Sequence, residues 1–186
     1  MKQRLKVAFR GFANFDGCIE NINHHSFKVF DFKNEYCRIV RSGELKDKQD
    51  EETLDVTNPN NKTIYCLSTD KCLLNKVEGK KCDCVLFDDK TVIFVEMKTD
   101  TLSSSNPETI KCRCEKAIIQ ILKVQNIFIE KGVTFDGYRK LGIICFKKST
   151  LTGAIRIQNP TIKGIPVKFE KEYKFKLNIT NRVEFR

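Results

Sequence analysis

Apolar and polar positions change their rhythm several times along this 186-residue chain. Over residues 1–40 they alternate in short pieces, LKVAF, SFKVFDF and CRIV, interrupted by Gly11, Gly17 and Asn23. Period-two alternation of this kind predicts short strands. Residues 42–63, SGELKDKQDEETLDVTNPNNKT, are polar and predict an exposed excursion with a turn at NPNN. From residue 64 the apolar runs IYCLS, CLLNKV, CDCVLF and TVIFVEM follow one another across short polar connections. They predict an antiparallel meander.

A long helix is predicted next. Asn106 suits the N-cap, Pro107 the first helical position and Glu108 the positive end of the helix. Ile110, Cys114, Ala117, Ile118, Ile121, Val124, Gln125 and Phe128 fall on one face, and Gly132 offers a stop. KLGIICFKK then reads as a strand. AIRIQN and IPVKFEKEYKFKLNIT alternate with lysine on the second face, which predicts a basic antiparallel ribbon over about residues 150–186. The expected fold is a single α+β or α/β domain over residues 1–186. A mixed central β-sheet carries the long helix, and additional antiparallel strands lie at both ends.

Composition narrows the class. With 40% hydrophobic and 31% charged residues the chain is globular rather than disordered. No apolar run is long enough to span a bilayer, and MKQRLKVAFRGF lacks the apolar stretch of an export signal. A cytoplasmic protein without a membrane partner is expected. The net charge of +10 favours phosphate-rich partners, nucleic acid first. Nine cysteines in such a chain are expected to be reduced. Two Cys-x-Cys pairs suggest zinc, but the geometry disfavours it. Cys82 and Cys84 would share one strand face with Asp83 on the other, and Cys112 and Cys114 lie about 200° apart on a helix. His24-His25 falls between strands and reads as loop.

Candidate chemistry sits in CDCVLFDDKTVIFVEMK, residues 82–98. With Asp89-Lys90 as the turn, Phe87 faces Val92, Leu86 faces Ile93, Val85 faces Phe94, Cys84 faces Val95 and Asp83 faces Glu96. Facing residues have Cβ atoms about 4.5–5.5 Å apart on one side of the sheet. Lys98, two residues beyond Glu96, projects to that same side. Two close carboxylates repel unless a positive charge lies between them, and oxygen ligands of this kind suit Mg²⁺. A neighbouring lysine can then orient or deprotonate water, as phosphodiester hydrolysis requires. The competing reading is a solvated strand face of alternating charge.

A hairpin with Asp83 on its first strand, Val95-Glu96-Met97-Lys98 ending its second and a long amphipathic helix after it resembles the PD-(D/E)XK nuclease superfamily. KKCDCVLF, TVIFVEMK and KAIIQILKVQ also resemble small bacterial proteins with this core. The resemblance covers about residues 64–146. It implies a restriction-endonuclease-like fold, Mg²⁺ (or Mn²⁺) on Asp83, Glu96 and the Met97 carbonyl, and Lys98 beside the attacking water. The helix glutamine of the pattern matches Gln120, with Gln125 second. Gln120 shares its helix flank with Arg113, Lys116 and Lys123, which would meet phosphates. Lys168, Lys171, Lys174 and Lys176 on the ribbon would grip the nucleic-acid backbone. An additional upstream acid, which many members carry, could be Glu35, Glu44 or Glu78. The first functional expectation is a metal-dependent nuclease, DNA favoured over RNA, serving repair, restriction or defence, alone, as a homodimer or with a protein partner. The second is a nuclease-like domain that binds nucleic acid or protein without cutting. A redox or zinc protein using the cysteines is the third.

Overall fold

The structure, a computed structural model, describes residues 1–12, 15–33, 35–41, 43–45, 47–101, 106–152 and 160–186, the side chains of 47, 48 and 161 apart. In chain order the elements are α1 (Lys2–Ala8), β1 (Ile19–Ile22), β2 (Ser26–Asp31), β3 (Cys37–Val40), α2 (Asp47–Asp50), β4 (Leu54–Thr57) and β5 (Ile64–Ser68). There follow β6 (Cys84–Phe87), β7 (Thr91–Met97), α3 (Pro107–Glu130), β8 (Arg139–Cys145), α4 (Lys148–Thr150), α5 (Pro160–Tyr173), β9 (Lys176–Ile179) and β10 (Arg182–Glu184). Among the described residues no helix is long and apolar enough to cross a membrane.

Two sheets stack beneath a layer of helices. The larger has the order β1-β5-β6-β7-β8-β9 and the smaller β10-β4-β2-β3. Strands β5, β6 and β7 form the expected antiparallel meander, and the β6–β7 register pairs Cys84 with Val95 through Phe87 with Val92. The chain then crosses through α3 to β8, parallel to β7, and through α5 to β9, parallel to β8. Both crossovers step the same way along the sheet, so right-handed connections put both helices on one face. That face holds Val85, Phe87, Val92 and Phe94 against Ile121, Phe128, Phe169 and α1's Leu5. The opposite face buries Leu86, Ile93, Val95 and Ile143 against Val29, Ile39, Leu54 and Phe185 of the smaller sheet or its edge. The uninterrupted apolar runs of β6 and β7 follow from this double covering.

Helix α3 forms as its sequence directs. The Asn106 side chain accepts the Thr109 N–H at 2.8 Å, and Gly132 leaves the helix at φ +78°. Ile110, Cys114, Ala117, Ile121, Val124 and Phe128 are buried as expected, and Gln120 joins them.

Several expectations are corrected. LKVAF lies largely in a helix: Leu5 and Phe9, four residues apart, are buried while Val7 is 58% exposed. A strand would have put all three on one face. CLLNKV is not a strand but begins inside a wide helical turn, Thr69–Leu73, closed by the Leu74 N–H on the Thr69 carbonyl at 2.8 Å. The polar stretch 42–63 contains β4, with Leu54 and Val56 buried, and α2. The basic antiparallel ribbon does not form. Residues 160–173 are helix α5, with Ile162 and Phe169 inward and Val167 70% exposed, and the C-terminal strands pair in parallel with β8 and β4. The alternating pattern misled because Ile162, Ile165, Phe169 and Tyr173 also fit a helical stripe, in a helix that carries Pro166 in its interior. AIRIQN lies outside the described residues.

The cysteines are not all reduced. Cys18 and Cys72 form a disulfide, their Cα atoms 5.6 Å apart. Pairing of β1 with β5 and the Ser68 N–H on the Cys18 carbonyl bring the two together. Cys82 and Cys84 do not share a face either: Cys82 packs in the helix-side core and Cys84 between the sheets. The regular ladder ends at Cys84, so period two does not extend to Cys82. Cys112 is exposed and Cys114 buried.

Candidate functional site

Strand β7 has alternate residues on opposite faces. Val92 and Phe94 enter the helix-side core, and Ile93, Val95 and Met97 the core between the sheets. Glu96 therefore projects toward α3, and so does Lys98, just past the strand. Glu96 is 2% and Lys98 8% exposed, which removes the reading of a solvated strand face. The Lys98 ammonium donates to Glu96 Oε1 and, at 2.8 Å, to Gln120 Oε1. The Gln120 amide donates to the Lys81 carbonyl at 3.0 Å. Gln120 rather than Gln125 thus belongs to the site. Gln125 is half-buried on α3, and among the described residues its Oε1 has no partner.

Asp83 is held by a different route from the expected one, near enough to Glu96 and Lys98 to feel their charges. The paired ladder stops one residue short of it. The Asp83 N–H donates to the Val95 carbonyl at 3.0 Å, and its carboxylate accepts the Met97 N–H at 2.6 Å. Met97 thus meets Asp83 through its backbone, while its side chain packs between the sheets.

The electrostatics follow from burial. Burial raises the Glu96 pKa to about 7, against the opposing Lys98 ammonium, and the Asp70 and Asp31 carboxylates push it the same way. Burial also holds the Asp83 carboxyl well above the usual carboxylate range, with the Glu96 charge the next cause. Buried ion pairs gain little net stability because both charges lose their hydration. Among the described residues Glu96 Oε2 is moreover buried without a hydrogen-bond partner. The half-buried Asp83 carboxyl, close enough to feel the Glu96 charge, and the buried Glu96 together offer oxygen donors of the kind a hard cation takes.

Asp70, Asp31 and Lys81 were not among the expected site residues. Asp70 sits in the wide turn after β5, 3.5 Å from the Lys81 ammonium, which also donates to the Val77 carbonyl. Asp31 ends β2 and accepts from Lys71 at 2.9 Å. The three upstream acids suggested by sequence lie elsewhere. Glu44 and Glu35 pair with Arg38 at 2.9 and 3.9 Å, and Glu78 is exposed. The available signal for Asp70 was its position directly after an apolar strand, but the turn that presents it has no simple sequence pattern.

The remaining basic residues scatter. Arg113 pairs with Asp100 at 2.9 Å, close in sequence to Lys98. Lys116 and Lys123 are exposed on α3. Lys168 and Lys171 are exposed on α5, Lys174 lies in the turn after it, and Lys176 begins β9. Among the described residues no group of three or more His, Cys, Asp or Glu side chains is arranged to hold a metal ion.

No family model, curated protein or solved structure matches the chain.

Proposed function

We propose that the chain is a metal-dependent nuclease with Asp83, Glu96 and Lys98 at its centre. The observation that carries the reading is the buried Glu96–Lys98 pair, with Glu96 Oε2 unpartnered among the described residues and the Asp83 carboxyl near enough to feel its charge. The meander β5–β6–β7, the helix α3 and the parallel strand β8 support the resemblance to the restriction-endonuclease-like core. Asp83 and Glu96 would hold Mg²⁺ or Mn²⁺, with the Met97 carbonyl as third ligand. When bound, such a cation polarises a phosphoryl oxygen and makes water more acidic. Lys98, fixed between Glu96 and Gln120, keeps an ammonium at the reacting position, where it can orient water or neutralise a developing negative charge. Gln120 positions Lys98 by tying it to the Lys81 backbone. DNA is favoured over RNA on the resemblance alone, and repair, restriction or defence would be its setting, alone, as a homodimer or with a protein partner.

The test is cleavage of labelled DNA and RNA with Mg²⁺, Mn²⁺ or EDTA, the wild type beside Lys98→Ala and Glu96→Ala. Metal-dependent cutting lost in both variants supports the nuclease. A second reading, a nuclease-like domain that binds without cutting, is favoured by the hydrogen bond that already occupies the Asp83 carboxylate. It predicts nucleic-acid binding with no cleavage under any metal.

A further inference from the structure

Lys174 and Lys176 do not lie near Glu96. Along the β7–β8 ladder Met97 pairs with Cys145 at one end and Thr91 with Arg139 at the other. Lys176 sits level with Leu141 and Ile93, two strands across from β7 and three residue steps, about 10 Å, short of Glu96, and Arg139 sits level with Thr91, five steps short. Arg139 opens β8, and Lys176 opens its parallel neighbour β9, pairing with Leu141. The two basic residues thus lie toward the end of the strands away from the candidate centre.

A cleft of about 520 Å³ opens there, and Arg139, Lys140, Lys174 and Lys176 line it with Glu170 as the one acidic group. None of the four basic side chains makes an ion pair among the described residues. Arg139 donates to the Glu184 carbonyl at 3.3 Å. The Lys140 ammonium lies 5.1 Å from the Phe175 ring centre and 6.0 Å from that of Phe135, a contact that leaves its charge uncancelled. Lys174 holds a left-handed backbone, φ +60°, at the turn between α5 and β9. Glycine is the residue that fits such a position without strain. A lysine holds this position instead and lines the cleft.

We infer that this cleft is a phosphate-binding site separate from the candidate catalytic centre, built to take consecutive phosphate groups. Unpaired lysine and arginine side chains around one cleft displace the counterions of a polyphosphate and gain affinity by doing so. The phosphates could belong to a nucleic-acid strand or to a free polyphosphate, and their recognition chemistry is shared. The inference rests on the placement of these side chains and is independent of any reaction at Glu96.

The experiment is fluorescence anisotropy of a labelled single strand in EDTA, with unlabelled strand and inorganic tripolyphosphate as competitors. The Lys174→Glu/Lys176→Glu protein is expected to bind about tenfold or more weakly, with a log–log salt slope lower by about 1.4. A Lys6→Glu/Lys163→Glu protein, with the same change in net charge elsewhere, is expected to stay within about twofold of wild type. Displacement by tripolyphosphate would identify a compact phosphate site, and displacement by strand alone would assign the phosphates to a nucleic-acid backbone. Lys174→Gly guards against misfolding as an explanation: it should keep at least wild-type thermal stability and still bind more weakly. Equal losses in both double variants, no binding by wild type, or unchanged binding by Lys174→Gly would overturn the inference. Because metal is absent throughout, failure of the nuclease reading leaves the result unaffected.

Discussion

Lys98 and Gln120 are joined by a 2.8 Å hydrogen bond across the strand–helix interface, both side chains buried. The same glutamine donates its amide to the Lys81 carbonyl, so one side chain on α3 sets the position of an ammonium on the strand below. Gln120→Leu removes both contacts and leaves the Lys81 carbonyl and one Lys98 proton without that partner. A loss of about 1–3 kcal/mol in urea denaturation is expected. If the enzyme reading holds, kcat falls further than the stability loss explains, while KM changes little. Wild-type stability in Gln120→Leu would show that the bond does not order Lys98.

Burial lifts the Glu96 pKa from 4.5 to about 7. The folded protein therefore holds this proton more tightly than the unfolded chain does. The stabilising contribution is complete below about pH 4.5 and is lost as pH rises through about 7. In EDTA the wild type should lose roughly 3 kcal/mol relative to Glu96→Gln between those limits. Chemical denaturation of both proteins across this range is the check, and parallel curves would refute the shift.

The Cys18–Cys72 disulfide closes a loop of 54 residues and fastens the turn that carries Asp70. That turn also donates its Thr69 N–H to the Asp83 carbonyl at 3.0 Å. Chain-entropy arguments put the cross-link at about 4 kcal/mol. Cys72→Ser, or wild type in dithiothreitol, should melt at a lower temperature and bind Mn²⁺ less tightly. Unchanged Mn²⁺ affinity in the reduced protein would separate the turn from the site.

Pro166 lies inside α5, where its ring cannot donate to the carbonyl of Ile162. Pro166→Ala should restore that bond and raise stability by about 1–3 kcal/mol, read as a higher melting temperature. A lower melting temperature would argue against a helix over 160–173.

Much of the site was legible because it depends on local rules. The register from Cys84–Val95 to Phe87–Val92 followed from one turn and two apolar runs, and period two then put Glu96 and Lys98 on one side. The cap at Asn106 and the stripe from Ile110 to Phe128 fixed α3 in the same way. What failed depends on tertiary context. Residues 160–173 satisfy both a period of two and a helical stripe, and only the space against Phe175 and α3 decides between them. Asp31 and Asp70 come to the site from β2 and from a wide turn, a juxtaposition that no spacing in the chain encodes. Nor did the cysteine pattern reveal that pairing β1 with β5 would bring Cys18 to Cys72.

The most direct test of Asp83, Glu96 and Lys98 as a cation centre is calorimetric titration with Mn²⁺ near neutral pH, wild type against Glu96→Gln. The wild type should bind with release of protons, since a carboxyl that titrates near 7 must ionise to accept the ion, and Glu96→Gln, still folded by circular dichroism, should bind at least about tenfold more weakly. Equal Mn²⁺ affinity in the two proteins, or none in either, would contradict it.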